Sequence, residues 1–307
     1  MIRGYTSQKE SGDLLRIDNA PEIKLSLVRP QNAPGDLARG LLDITIVGDD
    51  WVAEEAGINA KKTIRLASLE YGAVRVVVAV PEQFKINSVS ELISSRKDKT
   101  TIMYGEYPNL AAAFLMQNQA YQRIWGTKRP IIEMRGIKVG ENDNLRLVYS
   151  EGATEEYLRK GFPIIDNVQT GDSLKQARGR ILEDGLILTS AAGLYVIEGL
   201  NNDHWKWKKA HEIKDKLVGV VFAQKHYDVK FNTDPDGLEQ VLEYIKREKL
   251  AMKGPTVSSL FGPGKVIEGY AVNIIVPKVR FPEVSATLKT NLGASGIVKE
   301  SIEQLIE

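Results

Sequence analysis

Short apolar runs rich in β-branched residues alternate with stretches whose apolar residues return at helical spacing. Runs at 23–28, 44–47 and 74–80 predict strands, each followed by a candidate helix, which is the order of an α/β domain. The strand through Ile44 and Val47 runs into Gly48-Asp49-Asp50-Trp51. There glycine permits a tight turn and an aspartate can cap the next helix. Ligands of α/β folds gather at such strand ends.

A second lobe begins after Pro81. It has a helix over 89–96 entered through Asn87 or Ser88, a strand over 100–104 and a helix over 109–124. Glycine, proline and charge interrupt the period over 125–144, which reads as a strand with long loops. A helix over 203–225 places Ile213, Leu217, Val220 and Val221 on one face, able to dock on a sheet or to bridge two domains.

From Tyr227 the pattern is strand (227–231), helix (235–249), strand (256–260), strand (270–276), helix (282–292), strand (295–299). Asp234 stands as cap before a first-turn Pro235, and Leu238, Val241, Leu242 and Ile245 repeat at helical spacing. This order, β-α-β-β-α-β, is the ferredoxin-like unit. Such a unit is either a ligand-sensing or oligomerisation module or a structural appendage. The expected division is 1–82 with 186–225 as lobe I, 83–185 as lobe II, and 226–307 as a ferredoxin-like domain.

A chain of 307 residues is long for one core, and 43% apolar with 26% charged residues is the composition of an ordinary globular protein. Forty-one basic and 40 acidic side chains leave no global field to gather polyanions, so nucleic acid is not the expected partner. The absence of cysteine removes disulfides and thiolate metal sites, and His204, His211 and His226 do not read as a metal cluster. No apolar core of a signal peptide comes after Met1 and no membrane-spanning run occurs, so no membrane partner and a cytoplasmic location are expected.

The chemistry concentrates in residues 151–174. A strand over 163–165 delivers Asp166, and Thr170-Gly171-Asp172-Ser173 offers two hydroxyls, a glycine and successive N–H groups before a helix starting near Leu174. Such amides and hydroxyls form an anion cradle, while Asp166 can accept hydrogen bonds from ribose hydroxyls. Taken bare, the same turn is also an ordinary helix cap.

The whole segment resembles the signature of the ATP phosphoribosyltransferases, with Glu155, Gly161, Asp166, Thr170, Gly171, Ser173 and Leu174 in place. Other stretches resemble that family in the same order: Leu27 to Pro30, Ala38 to Asp50, Val77 to Pro81, Glu106-Tyr107-Pro108-Asn109, Pro255 to Leu260 and Gly293 to Ile297. The resemblance implies a two-lobed catalytic part similar to periplasmic-binding-protein-like domains plus a ferredoxin-like α+β regulatory domain. It implies that Asp166, Asn167 and Thr170, Gly171, Asp172, Ser173, Leu174 hold phosphoribosyl pyrophosphate, with the loop on its 5-phosphate. Arg29, Asp50, Tyr107 and Glu155 are then candidates for lining the ATP cleft. For Asp50 and Glu155 the plainer readings, helix cap and surface carboxylate, stay open. Thr256, Ser258, Ala294 and Ser295 would receive inhibitory histidine between subunits of a homo-oligomer, from dimer to hexamer.

The implied reaction joins ATP to phosphoribosyl pyrophosphate, giving phosphoribosyl-ATP and pyrophosphate, the first step of histidine biosynthesis. Magnesium would travel with the pyrophosphate, with no fixed protein metal site.

Three features depart from the family pattern. Members usually carry a strand, a Gln-Lys-Gly-Arg-Leu-like motif and a helix before the segment equivalent to Ile23, and this chain has too few residues for them. Ser7 to Leu14 echoes that motif, whereas Ile2-Arg3-Gly4 resembles the stretch just beyond the motif in some members; the second register is favoured. Asp172 puts a carboxylate inside the presumed phosphate loop unless it turns outward. Residues 124–146 are longer than the family norm. These departures keep two other readings open: a non-catalytic binding protein for a nucleotide or histidine, and a regulatory subunit whose ferredoxin-like end drives assembly.

Overall fold

The computed structural model describes residues 7–11, 14–17, 20–57, 63–251 and 254–302. Ile2, Arg3 and Gly4 lie outside them. Two compact units are present, the larger built on Lys24–Lys214 and the smaller on the chain from Asp215 onward. No helix among the described residues is long and apolar enough to cross a membrane.

Strands β1 (Ser7–Ser11) and β2 (Leu14–Ile17) precede the larger unit's β3 (Lys24–Ser26), α1 (Ala33–Ala38), β4 (Ile44–Gly48), α2 (Asp49–Ala56) and β5 (Thr63–Ser68). The chain then builds β6 (Val74–Pro81), α3 (Val89–Ser95), β7 (Thr101–Gly105), α4 (Pro108–Gln117), α5 (Gln119–Trp125), β8 (Pro130–Met134), β9 (Ile137–Val139) and β10 (Asn142–Tyr149). After α6 (Glu156–Arg159), β11 (Ile164–Val168), α7 (Asp172–Gln176) and β12 (Gly179–Ser190), it returns to the first lobe as β13 (Ala192–Ile197), and the boundary of the larger unit, after Lys214, falls within α8 (His204–Lys225).

The first lobe has a three-stranded sheet, β4-β13-β5, and the second a seven-stranded sheet, β12-β6-β11-β7-β10-β8-β9. The strands at the expected lobe limits, β6 and β12, both belong to the larger sheet. The reason lies in the run at Val76–Val80, which is buried on both faces. Val76, Val78 and Val80 pack with Leu92, Met103 and Leu115, while Val77 and Ala79 pack with Leu158, Ile164 and Leu174. Only an interior strand, here between β12 and β11, meets that demand. Beside it β7 and β11 run parallel, and Gly105 is required there because a Cβ would sit 2.4 Å from the Ile165 carbonyl oxygen.

Helix α3 is entered through Ser88, whose hydroxyl accepts from the Glu91 N–H while Glu91 accepts from the Asn87 N–H. The arrangement is close to a capping box, with Glu91 reaching the N–H one residue before the cap instead of that of Ser88 itself. The single helix expected over 109–124 is instead two. Asn118 is extended (ψ 131°) and its side chain accepts from the N–H groups of Ala120 and Tyr121. An asparagine offered two orphan amides starts a new helix more favourably than it continues an old one. Residues 125–144, expected as one strand with long loops, hold β8, β9 and the start of β10. Arg135 and Gly136, both at positive φ, close the β8–β9 hairpin.

In the smaller unit β14 (His226–Thr233), α9 (Leu238–Arg247), β15 (Thr256–Phe261), β16 (Ile267–Pro277), α10 (Phe281–Thr290) and β17 (Ser295–Ser301) keep the expected ferredoxin-like order. The sheet runs β15-β16-β14-β17 with every neighbour antiparallel. Val241, Tyr244, Ile245, Val284 and Leu288 of the helices cover Phe231, Val272, Ile274 and Val276 of the sheet. Pro235 is not in the first turn of α9; it sits in a turn closed by the Gly237 N–H on Asp234. In α8 the fully buried positions are Ala210 and Ala223, and the expected stripe at Ile213, Leu217, Val220 and Val221 is half-buried.

Asn118→Ala removes the cap of α5 and its pairing with Ser90, and should lower stability by about 1–2 kcal/mol. Exposed Gln117→Ala should change it by less than about 0.5 kcal/mol. Urea unfolding of the two variants decides; equal effects would show that Asn118 does not hold the break.

Candidate functional site

At the end of β4, Gly48 rather than an aspartate occupies the cap position of α2. The two carboxylates after it point elsewhere, which corrects their expected capping role. Asp49 accepts from Tyr195 Oη and from Arg65 Nη2 at 3.0 Å. Asp50, only 3% exposed, accepts from Ser190 Oγ at 2.7 Å and Tyr107 Oη at 2.7 Å. A Cβ on Gly48 would lie 2.1 Å from Asp50 Oδ1, so only glycine lets that carboxylate fold back.

Tyr107 is fully buried, its ring 4.5 Å from Trp51 between centroids. Its hydroxyl donates to Asp50 and accepts from Asn167 Nδ2 at 2.6 Å. Burial, and then the Asp50 charge, push the phenol far above its ordinary range, so it remains a donor. One turn beyond Asp50 on α2, Glu54 accepts from the N–H groups of Asn109 and Leu110 and from Asn109 Nδ2, at 2.7–3.0 Å. It caps the first turn of α4 from another helix, where a negative charge meets the positive end of the dipole. Burial raises the Glu54 pKa, and those amide bonds oppose the rise.

The segment expected to hold phosphate is a strand, a turn and a short helix. Asp166 lies within β11 rather than after it, half-buried. Burial raises its carboxyl to about 7 against the Asn167 N–H that accompanies it, and the charges of Glu155 and Glu106 push in the same upward direction. Gly171 takes φ +85°, and α7 starts at Asp172, two residues before the expected Leu174. Leu174 is buried against Leu158 and Ile164 and anchors the turn. Thr170, Asp172 and Ser173 are exposed or nearly so at the mouth of the turn, apart from the buried Gly171 between them. The Asp172 N–H reaches Thr170 Oγ1 at 3.4 Å, and no side chain caps α7 from the Gly171 position.

Of the residues expected at the ATP cleft, Arg29 forms an exposed ion pair with Glu151 at 2.8 Å. Glu155 approaches Asp166 closely enough to raise its pKa. Asp50 and Tyr107 are buried in the network above, bonded to each other. The expected histidine residues are not gathered by one chain. Thr256 and Ser258 lie on β15 and Ser295 on β17, opposite edges of the sheet, with Ala294 buried just before β17.

Glu54, Glu106, Ser190 and Arg129 belong to the constellation and were not expected there. Glu106 accepts from the Gly152 N–H, and Arg129 donates to Asn109 Oδ1 at 2.7 Å. Spacing held one signal, since Asp50 and Glu54 are four apart on one helix. Ser190 had none, because its partner is 140 residues away.

Residues 29–219 match the family model described as ATP phosphoribosyltransferase, and residues 223–304 match the one described as HisG, C-terminal domain. An ATP phosphoribosyltransferase of Thermodesulfovibrio yellowstonii is 29% identical over 307 residues, covering 99% of this chain and 91% of its own. One from Methanopyrus kandleri is 29% identical over 288 residues, covering 93% and 85%. Among solved structures, the ATP phosphoribosyl transferase (HisG:HisZ) complex from Thermotoga maritima shares the fold at TM-score 0.50 and 20% identity, over 71% of this chain and 88% of that one.

Asp166 gives the folded chain a distinctive pH response. With a carboxyl near 7 when folded and about 3.9 when unfolded, the folded state binds the extra proton between those values. Its contribution to stability therefore falls as pH rises from about 4 to about 7 and is level above. Asp166→Asn lacks this slope, so the variant's urea midpoint minus that of the parent should climb through this window. A difference independent of pH would show that Asp166 is an ordinary surface carboxylate.

Proposed function

The chain belongs to the ATP phosphoribosyltransferase family, and from that premise we propose that it condenses ATP with phosphoribosyl pyrophosphate to phosphoribosyl-ATP and pyrophosphate, the first step of histidine biosynthesis. What supports this reading is the turn after β11, where the exposed Thr170 and Ser173 hydroxyls and the amides after left-handed Gly171 follow a few residues beyond Asp166. Consecutive amides and hydroxyls suit a phosphate dianion, and the adjoining carboxylate suits ribose hydroxyls.

Attack by N1 of adenine on the ribose C1 breaks the bond to pyrophosphate. Positive charge grows on the sugar and negative charge on the leaving group. The chain's part is to fix the sugar phosphate and align the two substrates, and no covalent nucleophile is required. Asp166 must be ionised to accept from two ribose hydroxyls, and the magnesium that arrives with the pyrophosphate favours that form. The charges of Glu106 and Glu155, which act on Asp166, would add to the negative field that such an ion meets. Asp172 stands in the first turn of α7, exposed to solvent, which screens its charge from the phosphate.

Feedback by histidine fits the ferredoxin-like unit. Thr256 and Ser258 on one edge and Ala294 and Ser295 on the other would meet across copies, which agrees with a homo-oligomer between dimer and hexamer. A cytoplasmic location follows from the substrates. The spread of the family match over both lobes favours the enzyme over a binding protein or an assembly subunit.

The test is pyrophosphate release that requires ATP, phosphoribosyl pyrophosphate and magnesium together. Thr170→Ala should raise KM for phosphoribosyl pyrophosphate about tenfold, the value of one hydrogen bond to a charged group, and leave KM for ATP within about twofold. Absence of turnover in the folded parent, or equal rises in both KM values, would refute the reading.

A further inference from the structure

We propose that Tyr107 is a positioning residue for the sugar-phosphate loop: its buried hydroxyl ties Asn167 of β11 to Asp50 of the first lobe and so fixes the strand from which Asp166 and the Thr170 turn project. The inference rests on the reading of that turn as the phosphoribosyl site.

The proton count fixes the directions of the bonds. A phenol has one proton, and Asp50 as a carboxylate can only accept. Tyr107 Oη at 2.7 Å therefore donates to Asp50 Oδ2 and must accept from Asn167 Nδ2 at 2.6 Å. This orients the Asn167 amide with Nδ2 toward Tyr107 and Oδ1 away from it. Asn167 and Asp166 are consecutive in β11, so their side chains leave opposite faces of the sheet: Asn167 turns to the Tyr107 side, where Ile165 also packs, and Asp166 to the side of Ile164 and Val168. The bond to Tyr107 therefore acts on Asp166 through the strand that carries both. Asp50 is itself held by Ser190 Oγ at 2.7 Å and through its N–H to the same oxygen at 3.0 Å. The relay thus begins where β12 crosses back to the first lobe.

The packing around the ring has supports besides this hydroxyl. The ring of Tyr107 rests on Trp51, Pro108 presets the first turn of α4, and Glu54 secures the amides of that turn. Phenylalanine fills the same space, so Tyr107→Phe removes the link and keeps the contact.

Tyr107→Phe, Asn167→Ala and the double variant separate the possibilities. Each single change should raise KM for phosphoribosyl pyrophosphate about tenfold, as loss of one hydrogen bond would, with KM for ATP within about twofold, and the double should be no worse than the worse single. Hydrogen exchange should quicken in residues 164–176 of Tyr107→Phe and stay unchanged in residues 108–117. Additive effects in the double, equal rises in both KM values, or unchanged exchange over 164–176 would overturn the proposal. Should the parent release no pyrophosphate, the enzymatic reading fails and the exchange comparison alone decides the positioning role.

Discussion

The larger unit is organised around a buried carboxylate whose hydrogen-bond partners are neutral hydroxyls. Asp50 has left water almost completely, and its oxygens are met by Ser190 and Tyr107. An ionised carboxylate without such donors costs several kcal/mol in a protein interior. Both donors come from the second lobe, one at the end of β12 and one between β7 and α4, so satisfaction of the charge requires those two chain segments to meet α2. Glu54 repeats the device one turn later with the amides of α4. Two carboxylates of one helix therefore define how the two lobes of this unit join.

Asp166 shows the opposite solution. It is partly open, receives the adjoining Asn167 N–H, and stands among like charges. A carboxylate held in that state favours a cation or hydroxyl donors brought from outside. The contrast within one unit is informative: Asp50 is complete without a ligand, whereas Asp166 gains from one, and the two are joined by hydrogen bonds through Tyr107 and Asn167.

Much of this was legible in the sequence where the signal is local. The strands at Ile44, Val74 and Thr101, the helix start at Ser88 and all six elements of the ferredoxin-like unit come from period and caps. The open Thr170 turn after β11 was likewise foreseeable from its residue types. What escaped is non-local or exceptional. Strand β5 carries Arg65 amid its apolar residues because that side chain serves Asp49. The β8–β9 hairpin has Arg135 at positive φ, a conformation no propensity favours. Asn118 splits a helix that its neighbours would continue. The network partners of Asp50 come from positions 107 and 190, and no spacing rule links them.

In the smaller unit the expected effector residues stand on opposite edges of one sheet. Strands β15 and β17 are separated by β16 and β14, so their axes stand about 14 Å apart at the usual strand spacing. A single amino acid cannot touch Ser258 and Ser295 across that distance on the flat of one sheet. Among the described residues both strands are edges, and the apolar side chains of Leu260, Phe261 and Val298 are exposed along them. Edges of this kind are covered in stable proteins. If one small ligand engages both sets of residues, it does so where the β15 edge of one copy meets the β17 edge of another, which would make assembly a condition of regulation rather than its consequence.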